Sequence, residues 1–461
     1  MQDADSAGKY DELRRQHCRD QDRMFPILLE QTAWSKEQLR DHRELRLREL
    51  LRMVKESSPW HARRLVDLSP DSFKSEDISL LPIMTKADLM ANYDEIAPDP
   101  RITLATVNRH INGLVGGAYL FDRYHAIASG GSSGLRGAFV YDWDAWIVLS
   151  TISARWGVRA ATANPMPRLE RPVSANVYAD KASHISYAML ATFTRDTQNS
   201  YRFPISQPLS EIVAGLNRVQ PDSLGAYPSA LQMLIEEAQS GRLDIHPRSI
   251  GTCGEPLYAE ISAAAEEVFG VKVDDVWGMS EGVYAGNCGQ GEGMHLPDDL
   301  TWVEPVDAEG QPVPAGTRAA KLLLTNLYNH ALPLIRYEVS DEITVLEDPC
   351  PCGSGHRRIT SVLGRQDDLF RYGSATVHPQ VFRSPLGREA NVLEYRVTQT
   401  PSGAQIAICT RGAVDLKSLK KLICDGVRRA GLQEPQVDIR LVDSLQRQDS
   451  GKLKRFIPLP A

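Results

Sequence analysis

From about residue 80 to about residue 345, short apolar runs alternate with amphipathic stretches, and this alternation confines the chain to an α/β architecture built on a sheet. Ala259–Phe269 has helical periodicity, residues 271–276 read as the strand that follows, and Trp277-Gly278-Met279-Ser280 reads as the next turn. Lys321-Leu322-Leu323-Leu324-Thr325 is a continuous apolar run of the kind found in strands buried on both faces. Upstream, residues 1 to about 75 read as helices, with Leu47, Leu50, Leu51 and Val54 marking one buried face. Residues 80–86 then turn into a further helix with Thr85 as its N-cap. The last hundred residues behave differently: strand-like 404–410, helical 415–430 and strand-like 436–442 make a small separate α+β unit, bounded near residues 364–368. At 461 residues the chain is too long for one compact core, so two or more domains are expected.

Composition excludes several classes. Net charge is −7 with basic residues scattered among acidic ones, so the basic stripe of a nucleic-acid binder is missing. No apolar run approaches the roughly 20 residues that a membrane span needs. The opening residues are polar and acidic, without the apolar core of a secretory signal, and the cytoplasm is the expected compartment. Seven cysteines, an odd number, make no disulfide scaffold in a chain this long. Close cysteines in such a chain more often bind metal or stay reduced, which singles out Cys350 and Cys352.

Five short segments have the residue types that chemistry needs. In Ser129-Gly130-Gly131-Ser132-Ser133-Gly134 the glycines let backbone N–H groups turn toward an anion and the hydroxyls add donors, which suits a polyphosphate. No Gly-Lys-Ser/Thr follows, so this is not a P-loop, and alone such a run more often forms a flexible surface loop. Glu281 follows Ser280 where a strand's C-terminal end meets the crevice of an open α/β sheet; a carboxylate there can hold Mg²⁺ against phosphate oxygens, although a solvated loop glutamate would look the same. Asp341, after Leu334-Ile335-Arg336-Tyr337-Glu338-Val339-Ser340, can accept hydrogen bonds from both hydroxyls of a ribose or cap a turn. Gly364-Arg365-Gln366-Asp367-Asp368 lies at the suspected boundary, and Ser450-Gly451-Lys452-Leu453-Lys454-Arg455 sets a lysine after a glycine near the C-terminus.

Taken in this order, the segments resemble the adenylate-forming superfamily of acyl-CoA synthetases, adenylation domains and luciferases, and within it the phenylacetate–CoA ligase branch. The resemblance covers nearly the whole chain. Residues 81–89 are similar to that branch's LPxxTKxDL segment, Gly254-Glu255-Pro256 to its GxEP segment, and Leu332-Pro333-Leu334-Ile335-Arg336-Tyr337 to its LPxIRY strand. It implies a large multi-sheet N-terminal domain over 1–365 and a small mobile α+β C-terminal domain over 366–461. It also implies activation of a carboxylic acid by ATP to an acyl-adenylate, then transfer to the thiol of coenzyme A with release of AMP and pyrophosphate.

By the same resemblance, Ser129, Gly130, Gly131, Ser132, Ser133 and Gly134 would hold ATP phosphates, and Glu281 would bind Mg²⁺. Gly254, Glu255 and Pro256 would line the adenine, Trp277, Gly278, Met279 and Ser280 would border the nucleotide, Asp341 would grip the ribose, and Arg365 would contact ribose or phosphate. Asp367 takes the hinge position, and Lys452 corresponds to the lysine that reaches the α-phosphate, so Lys452 and Glu281 are the catalytic candidates. Tyr227, Pro228 and Ser229, with Trp277 and Met279, would line the acid pocket; such side chains suit an aryl or other apolar acid. The phosphate loop departs from the branch's usual SSGTTGKP, reading SGGSSGLR with Leu135 and Arg136 in place of lysine and proline, yet enough donors remain for ATP.

Some members of this branch carry a structural metal site, and Cys288, His295, Cys350 and Cys352 are similar to it: three thiolates and an imidazole suit tetrahedral Zn²⁺. His356 is an alternative ligand, with a solvent-exposed position expected. A carrier-protein phosphopantetheine or an amine could replace coenzyme A as acceptor, and a non-catalytic nucleotide-binding protein is the remaining reading. A homodimer is compatible with the sequence.

A carboxylate attacking an α-phosphate brings two anions together, and Mg²⁺ with a lysine cation offsets the charge. Losing one such contact costs about 2.7–4 kcal/mol, or roughly 100- to 1000-fold in rate. Lys452→Ala is therefore expected to abolish acyl-adenylate formation while leaving ATP binding largely intact. Acid-dependent pyrophosphate exchange at the normal rate would remove the assignment and leave Lys454 as the competitor.

Overall fold

The computed structural model describes residues 2–129, 137–163, 165, 167, 169–195, 198–255, 257, 259–360, 370–373, 375–377, 379–389, 391–410, 412–446 and 455–459. The N-terminal region is helical, as expected. The first helix, Gln2–Glu30, runs through Pro26. It is fastened to the helix Trp143–Ala163 by His17, which stacks on Trp143 at 3.9 Å between ring centroids and lies 3.0 Å from the Tyr119 hydroxyl. The helix Lys36–Ser57 starts at a reciprocal cap: the Ser35 hydroxyl accepts from the Gln38 N–H, and the Gln38 side chain accepts from the Ser35 N–H. Its buried face is Leu39, Leu47, Leu50, Leu51 and Val54, the helical spacing seen in the sequence. No helix among the described residues is long and apolar enough to cross a membrane.

Two strands, β1 (His125–Ala128) and β2 (Ala138–Tyr141), pair antiparallel and bring residues 129 and 137 together at the base of the connecting loop. The main sheet holds β3 (Val173–Val177), β4 (Asn199–Arg202), β5 (Ser223–Ala226), β6 (Ser249–Cys253), β7 (Val273–Met279), β8 (Val283–Gly286) and β9 (Met294–His295). An eighth strand, Arg358–Ile359, borders β9, and the spatial order from there is β9, β8, β7, β6, β5, β3, β4. Strands β3 to β7 are parallel, whereas β8, β9 and the border strand run antiparallel. The helices Pro228–Gln239 and Ala259–Phe269 make the crossovers from β5 to β6 and from β6 to β7, so the ends of β5, β6 and β7 open on one side. A further antiparallel sheet contains β10 (Thr301–Val306), β11 (Lys321–Asn326) and β12 (Tyr337–Val339).

Two local expectations change and one is borne out. Trp277, Gly278 and Met279 finish strand β7 and are not a turn, because they pair with Ala285, Tyr284 and Val283 of β8; the turn begins at Ser280. The apolar run at 321–325 is buried as expected, but as the middle strand of an antiparallel sheet. Residues 334–336 precede the strand, and Arg336 takes a left-handed φ of 46°.

Toward the C-terminus, Gln436–Leu441, Gly403–Thr410, Val392–Thr400 and Phe456–Ile457 lie side by side in a four-stranded sheet. The helices Gln380–Arg388 and Leu416–Arg429 complete a core of its own, with Phe370, Phe382, Val397, Ile406, Ile408, Ile423 and Val427 buried together. Asp415 caps the second helix, accepting from the Ser418 N–H at 3.0 Å. The architecture is thus α/β, with a large multi-sheet N-terminal part and a smaller α+β C-terminal one.

The large part is tied together by a buried ion pair. Arg155, within Trp143–Ala163, meets Asp299 through two hydrogen bonds of 2.7 and 2.6 Å, and both side chains are fully buried. The same guanidinium donates to the Leu28 carbonyl, so it joins the N-terminal helix to the segment before β10. Burial raises the Asp299 pKa, but the Arg155 charge and hydrogen bonds outweigh this and hold it below the usual carboxylate value. Arg155→Met leaves that carboxylate buried without its partner and is expected to destabilise the protein by about 3–5 kcal/mol in urea unfolding. A loss under about 1 kcal/mol would mean that the pair is dispensable.

Candidate active site

The crevice lies at the C-terminal ends of β5, β6 and β7. After β7 the chain turns through Ser280, Glu281 and Gly282, and all three carbonyls are held by side chains from other elements. Tyr141 donates to the Ser280 carbonyl (2.6 Å), Asn326 to that of Glu281 (3.2 Å), and Tyr328 and Thr301 to that of Gly282 (2.9 and 3.0 Å). Gly282 is obligatory, because its φ is 100° and a Cβ would stand 2.1 Å from the Asn326 amide nitrogen. The Glu281 side chain is therefore aimed by its backbone, and it is buried rather than solvated. Burial raises its pKa, Lys86 opposes that rise, and Asp341 adds to it. These three charged groups thus act on one another within the crevice.

Asp341 accepts a 3.0 Å hydrogen bond from the Trp277 indole N–H through one oxygen. That bond orients the carboxylate. Trp277 itself is largely buried, and Gly278 leaves room for the Tyr284 ring, which a Cβ would meet at 2.1 Å. Next to β1 and β2, the Ser129 N–H donates to the Gly137 carbonyl and the Gly137 N–H to the Ser129 hydroxyl, both at 2.9 Å. Gly130, Gly131, Ser132, Ser133 and Gly134 lie outside the described residues, as do Pro256, Arg365, Asp367 and Lys452.

At β6, Gly254 has a φ of 81°, and a Cβ there would lie 3.1 Å from the Tyr227 ring. Glu255 follows it at partial burial. Tyr227 precedes the helix Pro228–Gln239, with Pro228 at its first position and Ser229 in its first turn. The Tyr227 ring is buried and packs edge-on against Tyr178 at 4.9 Å. Tyr178 and Tyr284 both feel the buried Cys253 thiol electrostatically, so phenols gather beside the acid-pocket candidates. One neighbour that residue patterns pass over is Asp275 of β7, which accepts from the Thr252 hydroxyl at 2.7 Å and is pushed up to about 6, chiefly by burial.

The cysteine and histidine candidates also converge. The ligand atoms of Cys288, His295, Cys350 and Cys352 all lie within 4.8 Å of one another. The Cys288–Cys350 sulfur separation and the distance from Cys352 Sγ to His295 Nε2 are both 3.5 Å. A tetrahedral Zn–S bond of about 2.3 Å implies sulfur–sulfur edges of about 3.8 Å, so the cluster is near the size that zinc requires. His295 Nδ1 lies 3.3 Å from the His356 carbonyl, the contact that turns Nε2 toward the thiols. Burial depresses the His295 pKa to about 3, keeping the ring in the neutral form that ligates metal. His356 is corrected: it is buried, not solvent-exposed, and its ring nitrogens sit against the Leu296 and Gln31 carbonyls at 2.8 and 3.1 Å.

The fold is that of solved acid–CoA ligases. In sequence, the chain is similar to phenylacetate–coenzyme A ligases over most of its length. It is 26% identical to the phenylacetate–coenzyme A ligase of Thermus thermophilus over 399 residues, covering 84% of this chain and 81% of that protein. It is also 26% identical to the Escherichia coli K12 enzyme of the same name, covering 81% and 80%. Among solved structures, 2-hydroxyisobutyryl-CoA ligase in complex with 2-HIB-AMP and CoA, in its thioesterification state, matches with a TM-score of 0.58 at 20% identity, covering 93% of this chain and 91% of that one. Its open conformation matches with a TM-score of 0.56. No protein-family model matches the chain.

Proposed function

We propose that this chain is an AMP-forming acid–CoA ligase: it activates a carboxylic acid with ATP to an acyl-adenylate and passes the acyl group to the thiol of coenzyme A. The observation that carries the reading is the buried Glu281, aimed by three held carbonyls and sharing its crevice with Lys86 and Asp341. In this reading Glu281 holds Mg²⁺ against ATP phosphates, the loop opened by Ser129 cradles them, and Asp341 takes the ribose hydroxyls through the oxygens that Trp277 orients. Glu255 borders the adenine. Residues 366–461 turn about Asp367, and Lys452 arrives at the α-phosphate for the first half-reaction and withdraws before the thiol enters. Tyr227, with Tyr178 and Tyr284 behind it, makes the acid side aromatic and suits an aryl acid.

Pyrophosphate exchange and AMP release test the two half-reactions separately. An aryl acid should drive ATP–pyrophosphate exchange without coenzyme A, and AMP release over many turnovers should require it. Exchange with no acid in a panel of aryl, fatty and amino acids sinks adenylation. Exchange followed by turnover only with a phosphopantetheine carrier protein or an amine sinks the coenzyme A half alone.

The Cys288, His295, Cys350 and Cys352 cluster holds a structural Zn²⁺ in this reading. Protein purified without added metal should contain stoichiometric zinc by elemental analysis, and a strong chelator should lower its melting temperature. Metal-free protein with an unchanged melting temperature would refute the zinc site without touching the ligase reading.

A further inference from the structure

The lysine of the 81–89 segment, which has had no role so far, acts on Glu281 in the crevice. Lys86 opens the helix Lys86–Ala91, and its position is fixed from both sides. Ahead of it, Met84 pairs with β12: its N–H donates to the Arg336 carbonyl (3.1 Å), and its carbonyl accepts from the Glu338 N–H (2.8 Å). Behind it, Thr85 and Asp88 cap each other reciprocally. The buried Arg336 guanidinium clamps the approach, donating to the Ser79 and Leu81 carbonyls while paired with Glu304 at 3.1 Å. This scaffolding fixes the backbone from which the Lys86 side chain extends. Its ammonium donates to the Ser129 hydroxyl at 3.2 Å, its Cε stands 3.1 Å from where a Cβ on Gly137 would be, and its charge acts on Glu281.

Lys86 therefore spans the two groups that meet a polyphosphate: the first residue of the glycine–serine loop and the buried carboxylate. A lysine on the surface is solvated and gains little from such a place. Here the cation is partly buried, rigidly delivered, and carried by the large part of the protein rather than by residues 366–461. We propose that Lys86 is a phosphate-binding residue of the reaction, its ammonium taking β- and γ-phosphoryl oxygens of ATP and remaining on the departing pyrophosphate. The loop side of the crevice is the polyphosphate side, because Asp341 occupies the ribose side. The proposal rests on the reading of this crevice as an ATP site. It gives the enzyme two lysines with separate duties: Lys452 for the α-phosphate and Lys86 for the leaving group.

Titration calorimetry on the full chain distinguishes this from a merely structural role, using ATP, pyrophosphate and AMP against wild type, Lys86→Met and Lys86→Arg. Methionine keeps an unbranched stem against Gly137, and melting temperatures verify that both variants fold. Lys86→Met should bind ATP and pyrophosphate roughly 10- to 100-fold more weakly and AMP within about twofold of wild type, and Lys86→Arg should recover much of the loss. Equal weakening of ATP and AMP, or no change in either, overturns the assignment. If Lys86→Met does not fold, Lys86→Gln takes its place: ATP weakened relative to AMP supports phosphate contact, and an unchanged ratio overturns it. Wild-type protein that binds no ATP overturns both this proposal and the ATP site, whereas ATP binding that survives in Lys86→Met overturns Lys86 alone.

Discussion

A carboxylate removed from water must be compensated, and the crevice is organised around that requirement at Glu281. Burial raises the pKa of this carboxyl and Asp341 pushes in the same direction; Lys86 pushes back. The Lys86 charge thus favours the ionised form of the carboxylate. The neighbouring structure serves the same end. Tyr141, Asn326, Tyr328 and Thr301 come from three different segments, yet each binds a carbonyl of one three-residue turn. Such a turn has few ways to relax, and its carboxylate has few directions in which to point.

The strand ends that form the crevice were legible where local chemistry agrees with tertiary packing. Thr85 caps its helix because Asp88 returns the bond, and Ala259–Phe269 and the C-terminal 404–442 region carry clean periodicities that packing preserves. Legibility failed where a distant partner decides. Trp277-Gly278-Met279 resembles a turn in composition, but pairing with β8 holds it extended. The run at 321–325 was legible as a strand buried on both faces, and only the direction of its neighbours was not. The crevice residues were nominated by motif order, since a loop glutamate and a crevice glutamate look alike in sequence. Lys86 escaped for a related reason: its direction depends on Arg336, two hundred and fifty residues away, clamping the segment before it. The burial of His356 likewise follows from Gln31 and Leu296, neither of them local.

The buried pair and the thiol cluster meet on one helix. Arg155 reaches Asp299, while the next residue, Trp156, stacks on His295 at 4.2 Å, and Arg159 donates to the Cys352 carbonyl at 2.8 Å. One face of Trp143–Ala163 thus supports both the segment before β10 and the cysteine–histidine cluster. The N-terminal helix joins the same assembly through the Leu28 carbonyl, and the nearby Thr32 carbonyl accepts from Ser354. The helical region at the start of the chain is therefore part of the wall behind the site.

The cluster also has a consequence for the order in which the chain acquires its shape. Cys288 and Cys350 are 62 residues apart in sequence but 3.5 Å apart in space, and β9 to β12, Arg336 and Asp341 all lie on the intervening loop. Once the four ligand atoms come together, that stretch is a closed ring whose ends no longer have to find each other. Pairing β11 with β12, and bringing Asp341 beside Trp277, then becomes a search within a tethered segment rather than across the whole chain. A cluster remote from Glu281 would in this way shorten the route by which the Asp341 side of the crevice is assembled.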